Sequence, residues 1–275
     1  MIRLLVLALT LVTGFSGLVY EVVWQRYVAT LLGSDSAATA AVLGIFLGGL
    51  ASGYALFGAW TQRSLRRGAE CGAAPYLLAR YGGVELSIGC YALVFPWAFS
   101  AVRWISLRMP APGPGSGFAL DVLLTALLIG PPTVLMGATI PMLTQALPRR
   151  LEESTRIHAW VYGLNTAGAF AGALAAGFAF VPQLGLAGTV RAMGVINLVA
   201  GLALMGAGAF AGGAPAVGPA RASGPAPPIR GYGLVAAAAL LSGFAMMSLQ
   251  TALNRLGALA LGASHFTFSI VVATF

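Results

Sequence analysis

The sequence contains no lysine at all, and among its 275 residues only seven are acidic, two are cysteine and two are histidine. Charged residues make up 8% of the chain and hydrophobic residues 59%. A soluble domain carries about a quarter charged residues, so a water-covered globular fold is excluded. Cys71 and Cys90 form no CxxC pair and have no histidine nearby, which predicts neither a disulfide nor a metal site. The net charge of +8 would in a soluble protein point to nucleic acid. Here the arginines cluster between apolar runs and never interleave with exposed aromatics, so no nucleic-acid partner is expected. The exclusive use of arginine reflects genome composition and carries no function.

What is abundant is long apolar sequence. Runs near the roughly 20 residues that cross a bilayer fall at about Leu4–Leu32, Ser36–Trp60, Tyr76–Ala101, Phe118–Leu147, Ile157–Val181, Thr189–Phe210 and Tyr232–Leu261. An eighth starts near Ser264. The fold class is therefore all-α, a polytopic helical membrane protein whose first partner is the lipid bilayer. The ending "FTFSIVVATF" has no cap, stop signal or flanking charge, and the expectation is a fragment cut within its last helix. The opening "MIRLLVLALTLVTGFSG" has signal-peptide features. Its apolar run continues past Gly17 and recurs deep in the chain, so cleavage is not expected.

Arginine distribution sets orientation. Arg3, then Arg63, Arg66, Arg67 and Arg80, then Arg149, Arg150 and Arg156, then Arg221 and Arg230 fall on one side; Arg103, Arg108 and Arg191 fall on the other. This places the N-terminus in the cytoplasm and the "PAPGPGSG" loop, Pro110–Gly117, outside. The stretch 212–230, rich in Gly, Pro and Ala, reads as a flexible cytoplasmic linker. It divides a six-helix bundle, 1–211, from the start of a second unit, 231–275.

The two units share an internal repeat. "TGFSGLVYEVVWQRYVATLLGSDS" (Thr13–Ser36) aligns without a gap to "SGFAMMSLQTALNRLGALALGASH" (Ser242–His265). Gly14, Phe15, Arg26, Ala29, Leu32 and Gly33 meet identical residues in Gly243, Phe244, Arg255, Ala258, Leu261 and Gly262, while Gln25 meets Asn254 and Glu21 meets Gln250. The second copy lies six spans on from the first, an even number, so both run the same way. That order resembles the parallel six-plus-six plan of major facilitator transporters. "GAWTQRSLRR" is also similar to the cytoplasmic loop motif of that superfamily, matching at Gly58, Arg63, Arg66 and Arg67. Gln62 replaces the motif's Asp and Leu65 its second Gly.

Three segments together resemble a narrower family. "SGLVYEVVWQR" (Ser16–Arg26), "PTVLMGATIPML" (Pro132–Leu143) and "YGLNTAGAFAGALAAGFAFVPQLG" (Tyr162–Gly185) are similar to the membrane region of bacterial fused proteins. In these, a major-facilitator-like helical domain precedes a spermidine-synthase-like domain. The resemblance implies a multi-pass protein of the bacterial inner membrane, related to polyamine aminopropyltransferases. It also implies a fused or associated cytoplasmic catalytic domain, which would hold decarboxylated S-adenosylmethionine. No strand followed by a Gly-rich turn and an acidic residue occurs in these residues, so no catalytic residue and no cofactor is assigned within them. The bundle would anchor, and supply or drain, that domain. The alternatives are a major-facilitator-type secondary transporter of amines or another small solute, and a structural scaffold.

The intramembrane polar groups are the site candidates. Glu21 and Gln25 share a helix face, whereas Arg26 lies about 140° round from Glu21. Glu21 is either a cation or proton site facing the bundle interior or a carboxyl bonded to another helix; Arg26 is read as snorkelling to the interface, and Arg255 likewise as scaffold. Glu85 is expected to join Glu21 in a negative cavity suited to a polyamine or small cationic solute. Gln250 is the neutral counterpart of Glu21. Asn165 and Asn197 are read as interhelical hydrogen-bond glue, Asp121 as interfacial, and His158 and His265 as structural. Gly130–Pro132 and Pro141 are expected to break the fourth span. The pairs Gly44/Gly48, Gly49/Gly53 and Gly168/Gly172 are expected to let helices approach closely.

Reporter fusions within the Arg63–Arg67 loop are expected to give a cytoplasmic signal, and a periplasmic signal there would reverse the orientation.

Overall fold

Within hydrocarbon each backbone amide needs an internal partner, so apolar runs of this length fold as helices. The computed structural model describes residues 2–33, 35–67, 73–109, 113–148, 151–210, 231–262 and 265–275. The helices are α1 (Ile2–Leu32), α2 (Asp35–Arg67), α3 (Ala73–Arg108), α4 (Pro114–Met136), α5 (Thr139–Ala146), α6 (Ser154–Ala175), α7 (Val181–Phe210), α8 (Tyr232–Leu261) and α9 (His265–Thr274). No strand occurs among the described residues. Six helical segments are long and apolar enough to cross a membrane. The linker 212–230, Cys71, Arg149, Arg150, Arg221, Arg230 and the side chains of Asp35, Arg66, Arg67 and His265 lie outside the described residues.

Contacts along the helices give their directions. Thr13 meets Tyr81, Trp24 meets Phe95 and Tyr27 meets Phe99, so α1 and α3 are parallel. Arg3 reaches Glu153, and Gly14 abuts Asn165, so α6 also runs with α1. On α7 the order inverts: Gly82 faces Gly201, Glu85 faces Asn197 and Gly89 faces Gly194. The helix α2 runs against α1, through Gln25 to Thr39 and Trp24 to Phe46. The broken span α4–α5 lies beside α2, with Gly49 on Thr133 and Gly53 on Gly137. Passes thus alternate in direction.

One turn falls in the gap the sequence leaves between 181 and 189, and one break does not fall where expected. The segment Ser154–Phe210 is helical for 57 residues, through a π-helical turn at Ala176–Phe180. It reverses at one residue, Gly185, with φ 67° and ψ 177°. Only glycine adopts that conformation readily, and no long loop is needed. In the fourth span Pro131 and Pro132 stay inside α4, and the break falls later, at Gly137–Ala138. Pro132 cannot donate to the Leu128 carbonyl four residues back. The Tyr91 hydroxyl donates to that carbonyl instead, at 2.5 Å, so the helix continues. Pro141 occupies the first turn of α5, where no amide donor is missed.

Glycine sets the interhelical distances. A Cβ on Gly14 would stand 2.2 Å from the Asn165 carbonyl oxygen, and one on Gly168 2.0 Å from that of Leu11. Gly49 and Gly53 pack against α4 as closely, but Gly44 and Gly48 face open space. That expectation fails because the pair lies on the opposite, exposed side of α2. Between α3 and α7 the close approach uses Gly82, Gly89, Gly194 and Gly201. Trp24, stacked between Tyr20 and Phe95 at 5.3 and 5.6 Å, fills the core among α1 and α3 toward the Gly33 end.

Helices α8 and α9 pack on the bundle through α2 and α6. Most of α8 is exposed, and its buried positions are Gln250 and Asn254. Both α1 and α8 end at a glycine of positive φ, Gly33 at 66° and Gly262 at 86°.

Gly168→Leu should cost about 2 kcal/mol or more through overpacking, read as a melting-temperature drop of roughly 5 °C in detergent. Gly44→Leu should leave the melting temperature unchanged.

Candidate functional site: a polar cavity at mid-depth

On α3, Tyr81 and Glu85 are four residues apart and share a face. Asn197 lies on α7 between Gly194 and Gly201, the two residues at which α7 touches α3. That close approach lets a short side chain reach across, and Asn197 Nδ2 donates to Glu85 Oε2 at 2.6 Å. Asn197 Oδ1 in turn accepts from the Tyr20 hydroxyl at 3.1 Å. The Tyr81 hydroxyl donates toward Thr13 Oγ1 at 3.3 Å and Thr139 Oγ1 at 3.0 Å. Glu85 is 1% exposed and Asn197 2%. These side chains together tie α1, α3, α5 and α7.

This cluster borders a cavity of about 210 Å³, more than ten times what a single water needs. Its polar wall is formed by Glu85, Asn165, Asn197, Thr13, Ser16 and Thr139; Phe46, Leu50 and Ile88 supply apolar surface. Tyr54 and Tyr162, both exposed, stand at its rim. Residues 13–18 of α1 lie halfway along Ile2–Leu32, so the cavity is at mid-depth. Among the described residues its lining holds one carboxylate and no basic side chain. Such a site suits a cation that also donates hydrogen bonds, and two tyrosine rings at the rim add attraction for a cation.

The sequence candidates divide between two places. Glu85 and Asn165 line the cavity, and Asn165 is half-buried. Glu21 does not join them. It shares the face of Gly14 and Gly17 but lies one turn, about 6 Å, beyond the cavity end. Glu21 is 3% exposed, and no hydrogen-bond or ion-pair partner for it occurs among the described residues. Gln25 bonds Thr39 at 3.3 Å and, with Arg26 and Arg255, borders a separate small cleft. Arg26 is half-buried and Arg255 exposed, and both border that cleft. Gln250 is buried on the inner edge of α8, where its carbonyl accepts from Asn254 Nδ2 at 3.2 Å.

Of the loop residues, Arg63 is exposed at the end of α2, and Gly58 makes only ordinary contact with Pro141. Asp121 is half-buried and accepts from Ser106 at 2.5 Å; His158 is exposed. Sequence reading missed Tyr20, Tyr81, Thr13 and Thr139. The Tyr81–Glu85 spacing was a usable signal, whereas Thr139 carried none because the break that positions it was not foreseen.

No family model matches the chain, and no solved structure matches it. The chain is similar to a polyamine aminopropyltransferase of Corynebacterium efficiens, 31% identical over 207 residues, covering 73% of this chain and 34% of that protein. It is also similar to polyamine aminopropyltransferase 1 of Streptomyces coelicolor, 26% identical over 203 residues, covering 73% of this chain and 33% of that one. The chain thus spans about a third of the length of these curated relatives.

Asn197→Leu should destabilise the protein by about 1–3 kcal/mol, because a buried carboxylate loses its donor. Tyr20→Phe leaves that bond in place and should cost about 1 kcal/mol or less. Thermal unfolding of the two variants in detergent checks the order.

Proposed function

We propose that these residues form the membrane part of a polyamine aminopropyltransferase-like protein, and that the cavity beside Glu85 holds an amine handled by that protein. The observation that carries this reading is Glu85 itself, a carboxylate in the wall of a mid-depth cavity whose lining has no basic side chain among the described residues. The similarity to two polyamine aminopropyltransferases supplies the chemical class, since polyamines are cations at neutral pH.

In this proposal the helices lie in the bacterial inner membrane with the N-terminus in the cytoplasm, in a major-facilitator-like arrangement that continues into a second repeat. Transfer chemistry belongs to a cytoplasmic domain of the whole protein, which would bind decarboxylated S-adenosylmethionine. Glu85, held by Asn197, would face one ammonium group, while Ser16, Thr139 and Asn165 offer hydrogen-bond acceptors to its remaining protons. Phe46, Leu50 and Ile88 would pack against the methylene chain between amines.

A second reading, a secondary transporter of amines, draws on the position of the cavity. Residues 13–18 stand midway through a bundle whose passes alternate in direction, where carriers place their substrates. Uptake of a labelled polyamine into proteoliposomes separates the two readings, because a membrane anchor that serves an enzyme domain need not move solute across.

Binding of a labelled polyamine to the protein in nanodiscs should weaken roughly 10- to 100-fold in Glu85→Gln, as expected for a lost charge-assisted contact. Glu21→Gln should bind as the wild type does. Equal affinity of Glu85→Gln and wild type would remove the amine site from this cavity.

A further inference from the structure

A second cleft lies where the Gly33 hairpin (α1–α2) meets the Gly262 hairpin (α8–α9). Arg26 and Arg255 both border it, as do Gln25 and Asn254. These are matched positions of the two similar segments, each 229 residues apart. The cleft measures about 30 Å³, room for one small group and not for an extended solute.

Its chemistry is opposite to that of the Glu85 cavity. No carboxylate lines it among the described residues, and Arg255 has no acidic partner among them. One carboxylate could neutralise only one of two guanidiniums. Several neutral donors point to the same kind of ligand. Thr39 Oγ1 accepts from Gln25, which leaves its own proton to donate. Asn254 spends one amide proton on the Gln250 carbonyl and keeps a second. Ser36 adds a hydroxyl to the lining. The hydroxyls of Thr251 and Thr267 donate to backbone carbonyls of their own hairpin and contribute no further donor.

We propose that this cleft is a phosphate-class oxyanion site, shared between the two hairpins and centred on Arg255, with Arg26 in its lining. Planar guanidiniums bind tetrahedral oxyanions through paired N–H donors. The cleft lies two turns from the ends of α1 and α8, at the margin of the apolar span, where either a lipid phosphodiester or free phosphate can enter. It shares no residue with the Glu85 cavity and stands whether or not that cavity binds an amine.

The test is thermal unfolding of the whole protein in nanodiscs of neutral phosphatidylcholine. Inorganic phosphate is added against chloride at matched ionic strength, and in parallel the discs are doped with phosphatidylglycerol. At least one arm should raise the wild-type melting temperature by about 5 °C at saturation. Arg255→Gln should abolish the rise, and Arg103→Gln, a change at an exposed arginine of α3, should keep it. A rise with phosphate identifies the free anion, and a rise with phosphatidylglycerol alone identifies a lipid headgroup. No rise of the wild type in either arm overturns the proposal without recourse to any variant. A rise undiminished in Arg255→Gln overturns it equally.

Discussion

Backbone-to-backbone contact at glycine holds this bundle together. Gly14 and Gly168 bring α1 against α6, Gly53 and Gly137 bring α2 against α4, and Gly82, Gly89, Gly194 and Gly201 bring α3 against α7. Lipid tails are as apolar as leucine, so burial drives helices together weakly in a membrane and packing must do it. Three tight pairs result. Side chains larger than hydrogen at these crossings would push the pairs apart. The space left between pairs, where side chains are short and polar, is the mid-depth cavity.

The same contacts decide which polar residue has a role. Asn197 reaches Glu85 because glycines on either side let α7 touch α3. The carboxylate accepts from Asn197, with Tyr20 behind it, while Tyr81 on the same face of α3 bonds Thr13 and Thr139. A network with every member partnered fixes one arrangement of side chains, whereas a half-satisfied one would not. Glu85 is thus held in one orientation with its edge at a cavity.

The helical class and the presence of membrane-length apolar helices were legible in the sequence because a bilayer demands about 20 apolar residues per pass, and lengths alone reveal that. Turn positions were less legible. Gly185 reverses the chain inside the gap expected between 181 and 189, but Pro132 leaves α4 intact because Tyr91, 41 positions earlier, takes the orphaned carbonyl. That second cause is not local. Glu85, Asn165 and Asn197 could each be named as polar residues in apolar helices. Their grouping, and the separation of Glu21 from them, depends on the depth at which helices cross. The GxxxG pattern likewise located Gly49/Gly53 and Gly168/Gly172 but could not tell which face of α2 meets a neighbour, so Gly44/Gly48 misled.

Charge is sorted along α1 by this arrangement. Thr13 and Ser16 face the cavity that Glu85 makes acidic, and Gln25 and Arg26 face the cleft that two arginines make basic. From Gly17 to Arg26 the rise is about 13 Å, longer than the screening length in physiological salt. The protein between is not salt water, however. Trp24, Phe46 and Phe95 fill it with rings, and Coulomb forces persist further in such a medium. A cation beside Glu85 and an oxyanion beside Arg255 would therefore favour one another, whereas two cations would not. Glu21, a turn beyond the cavity and a turn short of Gln25, lies on the line between them.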